Sequence, residues 1–240
     1  MSAQANTPGA MTTCIVLAGG LGTRLRSAVA DLPKCLAPVG PRSFLDIQID
    51  ALLAAGVNDI VLSLGHLADK VVDALAGNPT HRPVRWVIEP ELLGTGGAIA
   101  HVMDRLGLDE VLVANGDTFL TGDLRGMLMP LDRPRSELLR MATVHVSDRS
   151  RFGGVQINVQ HQVERFLSKG AAGAGEINAG LYRLCRAALP AHAPGAYSLE
   201  ADVMPDLVGQ RAVHALHIEG CFTDIGVPQD YFQFCAEFGA

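Results

Sequence analysis

The sequence predicts an α/β fold in three layers: a central, mostly parallel sheet with helices on both faces and a small antiparallel addition from the second half. Three observations predict it. Short apolar runs alternate with longer amphipathic ones. The apolar runs are nearly continuous, as strands covered on both faces must be. The 240 residues, 48% apolar and 18% charged, suffice for a large compact core.

The elements follow in order. Residues 13–18 (TCIVLA) read as a buried strand running into glycines. Residues 43–55 read as a helix, with Ser43 as its cap and Gly56 as its stop. A strand over 59–64, a helix over 67–76 closed by Gly77, a strand over 84–88, a helix over 97–106 and a strand over 110–114 complete the βαβ series. That layout places functional loops at the carboxyl ends of the strands. Beyond about residue 130 the pattern changes. Residues 138–146 and 154–159 are strand-like, with a bend or bulge at Gly153-Gly154. Residues 169–176 (KGAAGAGE) read as a mobile loop, 177–184 as a strand, 199–207 as a helix, 213–218 as a strand and 228–238 as a closing amphipathic helix. No repeat or linker interrupts the chain, so residues 11–240 are expected to form one domain behind a disordered extension, 1–10.

Composition excludes several classes. Lys plus Arg number 19 against 25 Asp plus Glu, a net charge of -6, which argues against a duplex-binding module but not against a nucleotide site. Residues 1–10 have neither the basic start nor the apolar run of a signal peptide. No stretch approaches the ~18 apolar residues of a membrane span. The five cysteines are widely spaced and form no CxxC pair, so neither a disulfide framework nor a zinc site is expected, and a reducing cytoplasm is the expected compartment. The histidines show no HxxxH or HxH spacing, and no Gly-x-Ser-x-Gly elbow marks a covalent nucleophile.

The strongest chemical signal is Leu17-Ala-Gly-Gly-Leu-Gly-Thr-Arg-Leu25. A glycine loop directly behind a buried strand lets backbone N–H groups approach a phosphate chain or a base, which makes Leu17, Ala18, Gly19, Gly20, Gly22 and Thr23 nucleotide-binding candidates. Arg24 adds a planar fork for phosphate oxygens and Lys34 a compact point charge. The loop is neither a Walker loop nor a dinucleotide fingerprint, and alone it also fits an ordinary turn with two surface cations. Asn115-Gly116-Asp117 closes the fourth strand, as a plain turn or as a place for a metal-binding carboxylate. Asp224, in Thr-Asp-Ile-Gly, is its partner candidate: two hard oxygen ligands from distant segments suit one Mg²⁺ that also takes phosphate oxygens and waters. Asp123 and Asp230 read as a helix-start residue and a solvated helix residue.

The glycine loop, followed by Leu32-Pro-Lys34 and Leu36-Ala-Pro-Val39, resembles the sugar-1-phosphate nucleotidyltransferases, whose signature is GGxGTRL and then PK-x-L-x-PV. The resemblance covers essentially the whole chain. Residues 24–34 look most like the D-glycero-α-D-manno-heptose 1-phosphate guanylyltransferases of that family, with Arg26-Ser27-Ala28 where the usual form has Pro-Leu-Thr. The resemblance implies a Rossmann-like nucleotidyltransferase fold with a nucleotide-binding half (11–130) and a sugar-phosphate-binding half (131–240). It implies a cytoplasmic, Mg²⁺-dependent enzyme that joins GTP and the heptose 1-phosphate into GDP-heptose and pyrophosphate for bacterial surface polysaccharide synthesis. No nucleic acid or membrane partner is expected, and homodimerisation stays open.

The resemblance also assigns roles. Arg24, Lys34, Asp117 and Lys169 are the implied catalytic residues, with Asp117 and Asp224 on the metal and Lys169 on the sugar phosphate. Residues 89–97 become the base-binding loop, including Gly94 and Thr95, with the glycines at 94, 96 and 97 bringing the backbone close to a flat ring. A carboxylate accepts two hydrogen bonds from the guanine N1–H and N2–H₂ edge, which uracil, thymine and cytosine cannot reproduce. Glu89 is the candidate, Glu91 the alternative, and both equally fit acidic residues at a helix start. Asn115, Gly116, Gly154, Glu176, Asn178, Gly180 and Glu200 are the implied sugar-side residues, asparagine bonding hydroxyls and glycine leaving room for a ring. Rival readings are a guanylyl- or uridylyltransferase for mannose or N-acetylmuramate 1-phosphate, a glycosyltransferase, for which the Asp-x-Asp motif is missing, and a non-catalytic nucleotide-sugar sensor.

Overall fold

The computed structural model describes residues 11–22, 25, 29, 32–77, 84–191 and 195–239; the expected extension, 1–10, and the candidates Thr23 and Arg24 lie outside them. Strand β1 (Thr13–Leu17) leads through the glycine loop to a short hairpin, β2 (Pro38–Val39) and β3 (Arg42–Ser43), and helix α1 (Phe44–Ala54). Then come β4 (Asp59–Leu64), α2 (Ala68–Ala76), β5 (Val84–Ile88), α3 (Gly94–Leu106), β6 (Glu110–Asn115), β7 (Thr118–Leu120) and α4 (Arg125–Leu128). The second half adds β8 (Leu139–Val146), β9 (Gly154–Ile157), β10 (Val163–Leu167), β11 (Gly175–Cys185), α5 (Met204–Gly209), β12 (Val213–His217), β13 (Phe222–Asp224) and α6 (Pro228–Phe238).

Seven strands form the central sheet in the order β12-β8-β11-β6-β1-β4-β5. β11 alone runs against its neighbours, so the amino end of β11 and the carboxyl ends of the other six share one edge. The two-stranded pairs β9–β10, β7–β13 and β2–β3 are antiparallel additions. The pleat divides the core: Cys14 and Val16 pack with Leu45, Ile49 and Leu62 on one face, while Ile15 packs with Ile99, Met103 and Tyr182 on the other. A third cluster, Phe44, Phe119, Phe234 and neighbours, ties α6 to α1 and β7. Among the described residues no helix is long and apolar enough to cross a membrane.

Several boundaries differ from the sequence expectations for identifiable reasons. α3 begins at Gly94 rather than 97, because the Tyr197 carbonyl accepts the N–H groups of Gly96 (3.0 Å) and Gly97 (3.4 Å) and so outweighs the poor helix propensity of glycine. β9 stops at Ile157, since Asn158 Oδ1 accepts from the amides of Gln160 and Gln162 and turns the chain into β10, which the sequence pattern had not revealed. Glu176 belongs to β11, not to the preceding loop. The helix expected over 199–207 opens with a π-turn, Leu199–Val203, before α5. β5 is an edge strand rather than a buried one, with neighbours on one side only, and leaves Trp86 and Ile88 half exposed. Asp230 is not solvated: Arg151 holds both its oxygens, at 2.9 and 2.6 Å.

Ser43 forms a complete capping box with Asp46: its hydroxyl accepts the Asp46 N–H (3.2 Å), and the Asp46 carboxylate accepts the Ser43 N–H (2.8 Å). Ser43→Ala is therefore expected to cost about 1 kcal/mol, read as a lower denaturant midpoint with an unchanged slope; an unaltered midpoint would show that the box contributes nothing.

Candidate nucleotide-binding active site

A cleft of about 480 Å³ opens at the shared edge of the sheet. Leu17, Ala18, Gly19, Gly20 and Gly22 form one wall and Glu89, Gly94 and Thr95 another; Asn115, Gly116 and Asp117 rise from the end of β6, and Lys34, Glu200 and Gly226 complete the lining. All the nucleotide-binding candidates among the described residues thus converge. The glycine loop is fixed by two backbone hydrogen bonds, Ala18 N–H to Ser63 O (2.9 Å) and His66 N–H to Gly19 O (3.2 Å). At Gly20 a side chain would meet nothing within 4 Å, so this backbone is open to the cleft. Gly22 has φ +58° and lies against Lys34, where a β-carbon would sit 3.2 Å from the lysine Cβ.

The charged centre joins three distant segments. Lys34 opens a one-turn 3₁₀ helix (Lys34–Leu36), Asp117 lies two residues beyond the end of β6, and Asp224 ends β13. The Lys34 ammonium donates to Asp117 Oδ2 at 2.6 Å and lies 4.0 Å from Asp224 Oδ1. The backbone enforces this arrangement. Asp224 pairs with Thr118 across β13–β7, Ile225 N–H donates to the Asp117 carbonyl (3.0 Å), and Gly226 N–H donates to Asp224 Oδ1 (2.6 Å). A β-carbon at Gly226 would stand 2.6 Å from Asp224 Oδ1 and 3.0 Å from the Lys34 nitrogen, so only glycine fits. The two carboxylates already share one cation, the ammonium, and their hard oxygens suit a divalent ion beside a phosphate chain.

Glu89 sits where β5 enters the cleft. Its Oε1 accepts from the Ser63 hydroxyl (3.2 Å) and its Oε2 from the Leu93 N–H (3.1 Å). Burial raises its pKa above the ordinary value, with the Leu93 and Ser63 hydrogen bonds pulling the other way. A carboxylate has about four lone-pair sites, so each oxygen keeps accepting capacity for a ligand. Glu91 is exposed and outside the cleft lining.

The glycines of the base loop serve a different ring from the one expected. A β-carbon at Gly94 would collide with the Tyr197 carbonyl, and one at Gly96 with the Tyr197 ring; at Gly97 it would lie 3.0 Å from Leu93 Cβ and 3.5 Å from Tyr197 Cε1. These residues make room for Tyr197. Thr95 donates to Glu200 Oε2 (2.7 Å) and accepts the Leu199 N–H (2.8 Å).

From Glu200 a buried hydrogen-bond chain runs along the sheet. Tyr182 donates to Glu200 Oε1 (3.3 Å) and accepts from Asn178 Nδ2 (2.8 Å), while Asn178 Oδ1 accepts the Gly180 N–H (2.9 Å). Burial, and the Glu200 charge after it, hold the Tyr182 hydroxyl well above the usual tyrosine range, so it stays a donor. Asn178 and Glu200 are therefore joined, although Asn178 is not part of the cleft lining. Gly180 and Gly154 leave no free room for a sugar ring: a β-carbon at Gly180 would lie 2.6 Å from Thr118 Oγ1 and 3.0 Å from Asn115 Nδ2, and at Gly154 3.1 Å from an Arg149 guanidinium nitrogen. Lys169 is exposed on the turn after β10, outside the cleft lining, with the Gly170 amide tied to the Ser150 carbonyl (2.7 Å). Glu176 is likewise outside it, bonded to two histidines.

Sequence reasoning missed Gln48, Ser63, Tyr197 and Gly226. Gln48 Nε2 donates to the carbonyls of Asn115 (2.8 Å) and Thr118 (2.7 Å), fixing the turn that presents Asp117. Its signal was a lone amide between Ile47 and Ile49 on a buried helix face. Cys35 lines the cleft, but burial pushes its thiol up to about 12, far from a thiolate nucleophile.

Comparison with known proteins identifies the family. The Nucleotidyl transferase family profile matches residues 13–238. The chain is 33% identical over 219 residues to the D-glycero-alpha-D-manno-heptose 1-phosphate guanylyltransferase of Aneurinibacillus thermoaerophilus, covering 90% of this chain and 94% of that one. It is 32% identical over 224 residues to the mannose-1-phosphate guanyltransferase of Schizosaccharomyces pombe, covering 90% of this chain and 61% of that one. The crystal structure of HddC from Yersinia pseudotuberculosis superposes with a TM-score of 0.84 at 34% identity, over 95% of this chain and 100% of that one. The same protein complexed with GMP-PN gives a TM-score of 0.82 at 33% identity, over the same shares of the two chains. From the glycine-walled cleft to the lysine-bridged carboxylates, the chain belongs to the nucleotidyl transferase family.

Proposed function

We propose that this chain joins GTP to D-glycero-α-D-manno-heptose 1-phosphate, giving GDP-heptose and pyrophosphate. The observation that carries the reading is the meeting of Lys34, Asp117 and Asp224 at the mouth of a cleft with open glycine backbone. The similarity to heptose 1-phosphate guanylyltransferases supports the substrate pair. Mannose 1-phosphate is the second reading, favoured by similar identity to the mannose-1-phosphate guanyltransferases. In the same reading the reaction is cytoplasmic and supplies precursors for surface polysaccharide.

In the proposed reaction a phosphate oxygen of the sugar 1-phosphate attacks the α-phosphorus in line. The new P–O bond forms as the α–β bridge bond breaks, and pyrophosphate leaves with the electron pair. The attacking oxygen is already anionic, so no general base is needed, and catalysis reduces to positioning and charge neutralisation. Lys34 neutralises the phosphates at the reacting centre. Gly20 and its neighbours offer backbone N–H groups to the nucleotide, and Glu89 accepts from the guanine edge. Arg24 acts on the departing pyrophosphate and Lys169 on the incoming phosphate. Asp117 and Asp224 would hold Mg²⁺, which when bound supplies charge neutralisation at the α-phosphate.

Pyrophosphate release with the heptose 1-phosphate is expected with GTP and not with UTP, CTP, ATP or dTTP; a preference for another nucleotide would discard the role given to Glu89. Removing the divalent ion with a chelator is expected to stop turnover and its return to restore it. Asp117→Ala and Asp224→Ala are each expected to slow turnover by well over about tenfold while the circular dichroism spectrum and Tm show an intact fold. Undiminished turnover in both variants would remove the metal assignment.

A further inference from the structure

Beyond Asn178 the polar strip on this face of the sheet continues. Glu176 and Asn178 alternate along β11 with Ile177 and Ala179, whose side chains enter the opposite core layer. Glu176 therefore shares the face of Asn178, Tyr182 and Glu200, one rung farther from the cleft, about 7 Å on. His145 stands directly opposite it on β8, and His217 comes from β12. His145 Nδ1 lies 3.4 Å from Glu176 Oε1, and His217 Nδ1 lies 3.0 Å from Oε2. A carboxylate only accepts, so both contacts require the proton on Nδ1. Thr143 pairs in register with both Asn178 and His217, and its buried hydroxyl has no hydrogen-bond partner among the described residues.

We propose that Glu176, steered by His145 and His217, reads the hydroxyl groups at the end of the acceptor sugar remote from its phosphate. This rests on the proposed sugar 1-phosphate reaction and deepens it. The strip carries acceptors and neutral donors on an otherwise apolar sheet face, which is chemistry for sugar hydroxyls rather than for a phosphate. The Glu176 side chain keeps 24% exposure, so its outward lone pairs remain available beside the two histidines. The strip leads away from the reacting centre, so a sugar whose ring lies by Asn178 turns its far end toward Glu176. A heptose has there a vicinal diol, one hydroxylated carbon more than mannose, and two adjacent hydroxyls match two carboxylate oxygens. An acceptor left without its hydroxyl partner disfavours the sugar that lacks it. His145 and His217 are positioning residues: they hold the carboxylate, and they do not touch the reacting atoms.

The test compares kcat/KM for D-glycero-α-D-manno-heptose 1-phosphate and mannose 1-phosphate, each with GTP, in wild type, Glu176→Ala and Glu176→Gln. Glu176→Ala is expected to lower the heptose value at least about tenfold through KM, to change the mannose value far less, and to leave the KM for GTP unaltered. His217→Asn, which keeps a donor near the Nδ1 position, is expected to retain the preference that His217→Ala loses. Equal losses for both sugars, or none, would overturn the proposal. If wild type turns over neither sugar with GTP, the functional reading falls. Calorimetric binding of the two sugar phosphates to wild type and Glu176→Gln then decides the inference separately: weaker heptose binding in the variant supports it, and equal binding overturns it.

Discussion

A lysine ammonium held between two carboxylates from distant parts of the chain is the contact on which the site geometry depends. Lys34, Asp117 and Asp224 approach only because β7 and β13 pair, α6 packs its phenylalanines behind them, and Gly226 leaves space for both charged groups. Partly buried ion pairs are poor sources of stability, since desolvation offsets much of their attraction. Their presence here at 12% to 34% side-chain exposure is therefore poorly explained by stability alone and fits the role proposed for them above.

The reversed strand β11 gives that centre its second side. Six strands deliver their carboxyl ends to the cleft edge, and β11 delivers its amino end. A register shift between Asn178 and Tyr182, with Gly180 at φ +70°, lets the Tyr182 hydroxyl and the Asn178 amide meet across what would otherwise be an unbroken ladder. The polar chain from Thr95 through Glu200 to Asn178 thus links the Thr95 wall of the cleft to the far half of the sheet.

Most of the architecture was legible because local and tertiary demands agree. Strands 59–64 and 84–88 and the closing helix 228–238 follow from apolar periodicity alone, and Ser43 caps its helix as its position suggests. The start of α3 was not legible because its determinant, Tyr197, lies about a hundred residues away. The same distance hid the meaning of Gly94, Gly96 and Gly97, which face that tyrosine rather than an open pocket. Short pairs such as β7–β13 have too few residues to show a period, although they place Asp224. Among the site residues, Asp117 and Asp224 stand out in the sequence as carboxylates closing apolar runs. Gln48 and Ser63 act through carbonyls and a carboxylate contributed by other elements, which a linear pattern does not display.

The exposed edge of the sheet has a practical consequence. The chain contains one tryptophan, Trp86, and it sits 43% exposed on β5, three residues before Glu89. All indole emission from this protein therefore originates on the strand that leads into one wall of the cleft, from a ring partly open to water. The fold carries its own optical reporter, covalently in line with the Glu89 carboxylate of the cleft wall.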